Sequence, residues 1–401
     1  MKRFIPILLL SAFTLSAVFA PGVHAVDAGA FIQSEFEAYG QDDTDMYGAV
    51  IFAPWVSVPL GESELYVSAG VHANFGDETI IAPDLFRLEF SSRIASMLTL
   101  RLGRINWLDP SGFVAKGRFD GLDVFFDSGR IRLGISGLYT GLLFKDAVEI
   151  NVSPTDSADY DSAFDWGDFS NTYFAPRRAI ASLYGEFPGF LADRSRLFAG
   201  IMGQFDLSDA DEKFNTQYAL LRHVLVYKVF DFDLAGAAEL ENTEAEGLRP
   251  GIAVSAEIGV QLPTPIPDRF SLGFSWASGE GPSTAPFFPI TREAQSFVLE
   301  PRLSGMMILS ANYMALFART LSVELGGKYF LRNDSESFTA PYLEDDSYPL
   351  GLELGGSLQW VPLSDISFTV RGGVFLPSTG SAWADDAPVL WRVTAGLAIS
   401  F

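Results

Sequence analysis

Apolar and polar residues alternate along most of the chain, and the alternation is most regular in the last segment, Val389–Phe401. Every second residue there is apolar, and the residues between them are mostly small or polar. Because successive side chains of a β-strand point to opposite faces, the pattern predicts a strand with one apolar face. A soluble strand would bury that face in a core, whereas a membrane strand would present it to lipid.

The same period of two recurs in short segments throughout the chain, for example in Glu64–Phe75. We count about 18 such segments, with 16 as the alternative, joined by about eight tight turns and nine longer loops. Among the loops we expect Gly76–Asp84, Glu241–Pro250 and the longest, Lys145–Thr172. An even number of strands with short connections at one end predicts an all-β, antiparallel, up-and-down transmembrane β-barrel.

The polar faces of the predicted strands carry most of the charged residues outside the loops. A bilayer admits only helices and closed sheets, because unpaired backbone groups are costly in hydrocarbon. Aromatic residues near strand ends, such as Trp360 and Trp391, favour a membrane barrel over a soluble secreted all-β protein, which remains the alternative. Candidate pore-lining residues are Arg87, Glu89, Arg101, Arg132, Glu257, Glu324, Lys328, Glu353, Arg371 and Arg392.

The N-terminus has the pattern of a secretory signal peptide. Lys2 and Arg3 precede an apolar run, and Val23-His24-Ala25 suits a cleavage site. We therefore predict a signal peptide at residues 1–25 and a single outer-membrane barrel domain at residues 26–401. Removing two basic residues from a chain of net charge −23 leaves about −25, which argues against nucleic acid as a partner. The chain contains no cysteine, so it forms no disulfides.

One predicted hairpin, Leu98–Phe126, has a motif of its own. Leu100-Arg101-Leu102-Gly103-Arg104 closes one strand, Asp109 and Gly112 lie in the loop, and Gly117-Arg118-Phe119-Asp120-Gly121 opens the next strand. This hairpin resembles one found in outer-membrane porins and alginate-export-type barrels. The resemblance implies a barrel that passes solutes. A polyanion exporter needs a strongly basic lumen, whereas the inward faces here mix both signs, so the resemblance does not supply the substrate.

The motifs of enzymes are missing from the sequence. We find no nucleophile elbow, phosphate-binding glycine loop or His-Glu-x-x-His motif, and His72 and His223 lie in different strands. We therefore expect no enzyme, no cofactor and no metal, with a histidine-dependent barrel enzyme or an adhesin as less favoured alternatives.

The aspartates of the loop Lys145–Thr172 are a second set of candidates. They lack the spacing of a calcium-binding loop. If the loop folded inward, its acids would narrow the pore and face the arginines of the wall. This candidate constriction loop comprises Asp156, Asp159, Asp161, Asp165 and Asp168.

The sequence thus predicts an outer-membrane channel for passive diffusion of small hydrophilic solutes. Its acidic balance predicts a weak preference for cations or neutral solutes. The alternative is a substrate-selective transporter or exporter, for example of a saccharide. The expected partners are outer-membrane lipid, small solutes and the barrel assembly machinery through Phe401, and the barrel is a monomer or a homotrimer.

Overall fold

The computed structural model describes residues 26–41, 44–76, 78–153, 156, 162–210, 212–245, 247–343 and 347–401. The predicted signal peptide, Asp159 and Asp161 lie outside the described residues. None of the helices in the described part of the chain is long and apolar enough to cross a membrane.

The chain forms one closed antiparallel sheet of 18 strands, which confirms the predicted fold class and strand number. Each strand pairs with its neighbours in sequence, and β18 pairs with β1 to close the barrel. The strands are β1 (Asp27–Gly40), β2 (Thr44–Leu60), β3 (Ser63–Phe75), β4 (Thr79–Ala95), β5 (Leu98–Leu108), β6 (Lys116–Asp127), β7 (Arg132–Tyr139), β8 (Arg178–Pro188), β9 (Ser195–Asp206), β10 (Asn215–Tyr227), β11 (Phe230–Thr243), β12 (Gly247–Gln261), β13 (Asp268–Ala277), β14 (Met306–Ala318), β15 (Leu321–Arg332), β16 (Pro349–Leu363), β17 (Ile366–Pro377) and β18 (Leu390–Ser400).

The outer face of the barrel is apolar. Leu183, Ile201 and Leu221, on three successive strands, are 54%, 59% and 54% exposed. A soluble protein rarely exposes a contiguous apolar surface of this kind, whereas a transmembrane barrel presents one to lipid. The intervening residues face the lumen and carry the polar and charged side chains of the wall.

The two ends of the barrel differ in the length of their connections, as the predicted series of tight turns and longer loops implies. One end has short connections of two to six residues, such as 61–62 and 228–229, and the other carries the long loops. Two loops expected from the sequence are largely strand: β4 already begins at Thr79, and β11 and β12 leave only residues 244–246 between them. Polar sequence can extend a strand beyond the lipid because the sheet, and not the bilayer, pairs its backbone.

Three loops at the long-loop end determine the shape of the lumen: L3 (residues 109–115), L4 (residues 140–177) and L7 (residues 278–305). Their apolar side chains and the inner wall form one buried cluster, which includes Val114, Ile150 and Ile290 of the loops and Phe119 and Leu220 of the wall. The hydrophobic core of this protein therefore lies inside the barrel, where the loops pack.

The barrel wall is interrupted between β4 and β5. β4 pairs with β3 along nearly its whole length, but its pairing with β5 stops at Leu88 opposite Arg104. Residues 79–87 consequently present a backbone edge that β5 does not cover.

Side chains take the place of the missing β5 partners on this edge. Tyr173 Oη donates to the carbonyl of Pro83 at 2.7 Å, and Trp166 Nε1 donates to the carbonyl of Ile81 at 3.1 Å. Arg104 Nη1 donates to the next alternate carbonyl, that of Leu85, at 2.8 Å. Since Trp166 and Tyr173 belong to L4, this loop covers the interruption in the wall.

A buried cluster of charges lies beside the interruption. The side chain of Asp84 is fully buried and pairs with Arg118 at 2.8 Å, while Arg104 pairs with Asp120 at 2.8 Å. Both arginines also donate to backbone carbonyls at the start of L4, Arg118 to that of Ala147. The cluster therefore fixes L4 to the wall.

Candidate functional site: a constricted lumen

L7 crosses the lumen from one side of the wall to the other. Its first part packs on β10 and β11, where the Phe288 backbone N–H donates to Glu239 and the Phe288 carbonyl accepts from Tyr218. Its second part packs on β16, where the backbone N–H groups of Phe297 and Leu299 donate to the two carboxylate oxygens of Glu353, at 2.8 and 3.0 Å. The residues between these two attachments, 289–296, therefore span the channel.

L4 meets L7 where L7 leaves the wall. Ile150 and Thr291 form an isolated antiparallel bridge, flanked by backbone hydrogen bonds from Asn151 N to the Ile290 carbonyl (2.9 Å) and from Arg292 N to the Glu149 carbonyl (2.6 Å). The Thr291 N–H in turn donates to the carbonyl of Val114 in L3, at 3.0 Å. The three loops thus form one connected constriction.

Charged side chains of both signs surround the junction of L4 and L7. Lys116 pairs with Glu293 at 3.0 Å, and both remain substantially exposed. Desolvation by the surrounding loops and the charge of Glu293 raise the pKa of the Glu149 carboxyl above its ordinary value, against the opposing effect of Arg292 and Lys116. Desolvation and the neighbouring Arg292 lower the pKa of the Arg302 guanidinium.

The candidate aspartates of L4 that the structure describes attach the loop to the wall or stabilise its turns. Asp156 is buried and pairs with Arg178 of the inner wall at 2.5 Å, so it attaches the loop and does not face open water. Asp165 accepts from the Gly167 N–H, and Asp168 accepts from the Asn171 side chain, so both stabilise the short helical turns of the loop.

The predicted pore-lining residues of β4 and β5 form one charge network on the inner wall. Glu89 is 4% exposed and accepts hydrogen bonds from Arg87 (2.9 Å) and Arg101 (3.0 Å). Arg101 also approaches Asp123 of β6, at 3.7 Å. The positive charges are therefore compensated along the wall.

Two further candidates lie in ion pairs towards the tight-turn end. Arg132 pairs with Asp127 at 2.8 Å and lies 3.6 Å from Glu186. Glu257 pairs with Arg269 at 2.6 Å.

The remaining candidates lie on β15 to β18 beneath the second half of L7. Lys328 donates to the carbonyl of Gln295, and the Arg371 guanidinium stacks over the Phe297 ring at 4.3 Å. Arg392 pairs with Glu37 of β1 at 2.7 Å and also with Glu300 of L7. Glu324 lies on the same inner surface and, like Glu353, faces the loop.

The charged residues of the loop junction were not among the sequence candidates. Lys116, Glu149, Arg292 and Arg302 lie in or beside loops, where no period of two assigns a face to them. Their only signal in the sequence is that charges of both signs occur within two long connections.

The two histidines lie on different strands, and each packs against an aromatic ring. The His72 ring packs edge-on against Phe144 of L4, and His223 packs edge-on against Phe190 near a tight turn. Within the described residues, His72 Nδ1 and His223 Nε2 have no hydrogen-bond partner. The described residues also contain no group of three or more side chains suited to holding a metal ion.

Comparisons with known proteins identify the architecture. No family model matches the chain, and no curated protein matches it in sequence. Among solved structures, Pseudomonas aeruginosa OccK8 (OprE) is similar, with a TM-score of 0.64 and 11% identity over 95% of this chain and 99% of that one. OccK3 (OpdO) of the same organism gives a TM-score of 0.59 and 15% identity over 94% and 96% of the two chains.

A third neighbour carries a ligand. P. aeruginosa OccK2 (OpdF) in complex with glucuronate gives a TM-score of 0.61 and 11% identity, over 94% of this chain and 98% of that one. These neighbours are outer-membrane porins. At such low identity they establish the fold of this chain, and they support the porin part of the resemblance seen in the sequence; the alginate-export part stays an expectation.

Proposed function

We propose that the protein is a narrow outer-membrane channel through which small hydrophilic solutes diffuse passively. The observation that carries this proposal is the constriction: L7 crosses a charged lumen, and L4 and L3 are joined to it by backbone hydrogen bonds. A polar lumen inside an apolar outer face provides an aqueous path across a bilayer, and the loops set its narrowest section.

The charges of the constriction support a weak preference for cations or neutral solutes. Acidic and basic side chains are balanced at the L4–L7 junction, with Glu149, Glu293 and Glu300 close to Lys116, Arg292 and Arg302. The chain as a whole is strongly acidic, at a net charge of −23, which raises the local concentration of cations at the entrance. We place the protein in the outer membrane, where the apolar outer face contacts lipid.

Conductance of the refolded protein in planar bilayers tests the proposal. We expect discrete single-channel steps and a reversal potential in a KCl gradient that indicates weak cation preference. A protein that inserts but gives no steps, or that strongly prefers anions, would contradict the proposal.

A second candidate function is substrate-selective transport, and the attachment of L7 at both sides of the lumen favours it. A doubly attached loop leaves a passage of fixed shape, which suits discrimination between solutes. A very small conductance that one solute class blocks would favour this function over general diffusion.

A further inference from the structure

A strip of bare backbone lies on the inner wall below L7. Gly326 of β15, Gly355 of β16 and Gly373 of β17 are directly paired in register, Gly326 with Gly355 and Gly355 with Gly373. Each lies two residues from an inward-facing charge, so all three face the lumen. Glycine weakens a strand interior, and its presence often marks a close approach of another group to the backbone.

Only one end of this strip is covered by L7. A Cβ atom on Gly373 would lie 2.9 Å from Val298 Cγ2 of the loop, so the loop explains that glycine. A Cβ atom on Gly355 would meet only backbone of β17 within 4 Å, and one on Gly326 would meet Asn312 of β14. The surface above Gly355 is therefore open to another group, while the Asn312 side chain lies over Gly326.

This open surface is the floor of a cavity of about 140 Å³. Ser296 and Phe297 of L7 form its roof, which is held in place because Glu353 accepts two backbone N–H groups of the loop and Arg392 Nη1 donates to the Phe297 carbonyl at 2.9 Å. The roof is thus fixed independently of what the cavity contains.

Charged side chains of both signs surround the floor of the cavity. Glu324 and Arg371 lie on either side of Ser357, which pairs with each of them in register. Neither Glu324 nor Arg371 has an ion-pair partner among the described residues, and the buried hydroxyl of Ser296 has no hydrogen-bond partner there. A buried polar group without a partner indicates a site that water or a ligand completes.

The chemistry of these groups points to a neutral ligand. Glu324 and Glu353 balance Lys328 and Arg371, so the formal charge of the cavity is zero. A carboxylate in the cavity would be repelled by Glu324, and a cation would be repelled by Arg371 and Lys328. Hydroxyl groups both donate and accept, so they can satisfy the carboxylate and the guanidinium together. The glycine floor also admits the flat face of a ring, and the guanidinium stacked on Phe297 keeps its N–H edge free.

We propose that this cavity is a binding subsite for one neutral, polyhydroxylated sugar ring of a solute moving through the channel. The inference rests on the proposed function, since it names the class of solute that the channel selects. Glu324 accepts hydrogen bonds from the ring hydroxyls, Arg371 and Asn312 donate to them, and the glycine strip supports the ring.

Three probes with the same ring and different charges test the proposal: glucose, glucuronate and glucosamine. Calorimetric titration of the detergent-solubilised protein should show glucose binding with a millimolar dissociation constant, and weaker binding of both charged forms. Ser357→Phe fills the cavity and should raise the glucose dissociation constant at least tenfold. Ser255→Phe, an inward-facing change on β12 away from the cavity, should leave it unchanged.

These measurements distinguish a failure of the proposed subsite from a failure of the proposed channel. The heat-dependent gel mobility of the folded barrel shows whether Ser357→Phe has folded; if it has not, Glu324→Gln, which keeps the shape of the side chain, replaces it. Channels that conduct ions while the protein does not bind glucose would overturn the subsite alone. Glucose binding without conductance would contradict the channel and retain the subsite. Tighter binding of glucuronate than of glucose, or unchanged glucose binding in Ser357→Phe, would also overturn the proposal.

Discussion

Single charged residues in the lumen divide into those that attach loops and those that face the passage. Arg178 is 1% exposed, pairs with Asp156, and donates a hydrogen bond to the side-chain oxygen of Gln204. Removing one partner of a buried pair leaves an uncompensated charge, which typically costs about 3–5 kcal/mol. This pair therefore stabilises the fold of L4, whereas the exposed pair of Lys116 and Glu293 contributes little to stability and remains available to ions.

Glu149 should make the selectivity of the channel depend on pH. The pKa of its carboxyl is raised, so it takes up a proton at a higher pH than an ordinary glutamate as the solution is acidified. The constriction then loses a negative charge while the nearby Arg292 stays positive. We expect the cation preference, measured as the reversal potential in a KCl gradient, to fall as the pH is lowered from neutral.

The variant Glu149→Gln isolates this effect. It should show the weaker cation preference at neutral pH and a flatter pH dependence. Asp209→Asn is the control, because this exposed aspartate pairs with Arg177 and its pKa is lowered, chiefly by that arginine. A pH profile that is the same in Glu149→Gln and in the unmodified protein would show that Glu149 does not act at the constriction.

At the scale of elements, L4 replaces a strand partner along the exposed edge of β4. Burial raises the pKa of Tyr173 to about 12, so its phenol keeps the proton that it donates to Pro83. The double variant Trp166→Phe/Tyr173→Phe keeps an aromatic ring at each position and removes two hydrogen bonds, each contributing about 1 kcal/mol. We expect L4 to open more often and the chain to be cut by trypsin after the buried Lys145 roughly tenfold faster.

Mass spectrometry of the tryptic peptides measures this cleavage. Tyr313→Phe removes a phenolic hydroxyl that donates to Asp268 at the opposite end of the barrel. It should not change the rate of tryptic cleavage after Lys145. An unchanged rate in the double variant would mean that the charge cluster around Asp84 is sufficient to hold the loop.

The strands could be predicted from sequence, and the loops could not, for one physical reason. In β18 or β3, alternate residues face opposite sides of the sheet, so the alternation of apolar and polar residues assigns each side chain to a face directly. In L7 the contacts that matter are long-range: Glu353 was recognisable as inward-facing, but nothing near Phe297 in the sequence shows that its backbone N–H would find that carboxylate. The aspartates of L4 drew attention by composition, yet the described ones make local or buried contacts, and Glu149 lies at the junction instead.

The same distinction explains the interruption between β4 and β5. Residues 79–84 were expected in a loop, yet they extend β4 and pair with β3. Which edge of a strand lacks a partner depends on the path of a loop from elsewhere in the chain. Alternation specifies the faces of a strand and leaves its edges unspecified.

At the scale of the whole molecule, the barrel separates lipid from water across a single layer of residues. Leu358 and Gln359 are neighbours on β16: Leu358 pairs with Val323 and Val370 on the outer face, and Gln359 pairs with Ser322 and Thr369 on the inner face. A lysine on the lipid face of a barrel costs about 2–4 kcal/mol at the bilayer midplane and less near the interfaces, whereas a lysine in a hydrated lumen costs little.

Leu358→Lys should therefore lower the free energy of unfolding from lipid vesicles by more than 1 kcal/mol, and Gln359→Lys should leave it nearly unchanged. Denaturant titration followed by tryptophan fluorescence measures both values in the same lipid. The two variants add the same charge at adjacent positions, so the change in net charge is equal in both, and the comparison reports the face that each position occupies. Equal destabilisation by the two lysines would mean that both faces meet the same solvent, and a barrel with that property could not form an aqueous path through a bilayer.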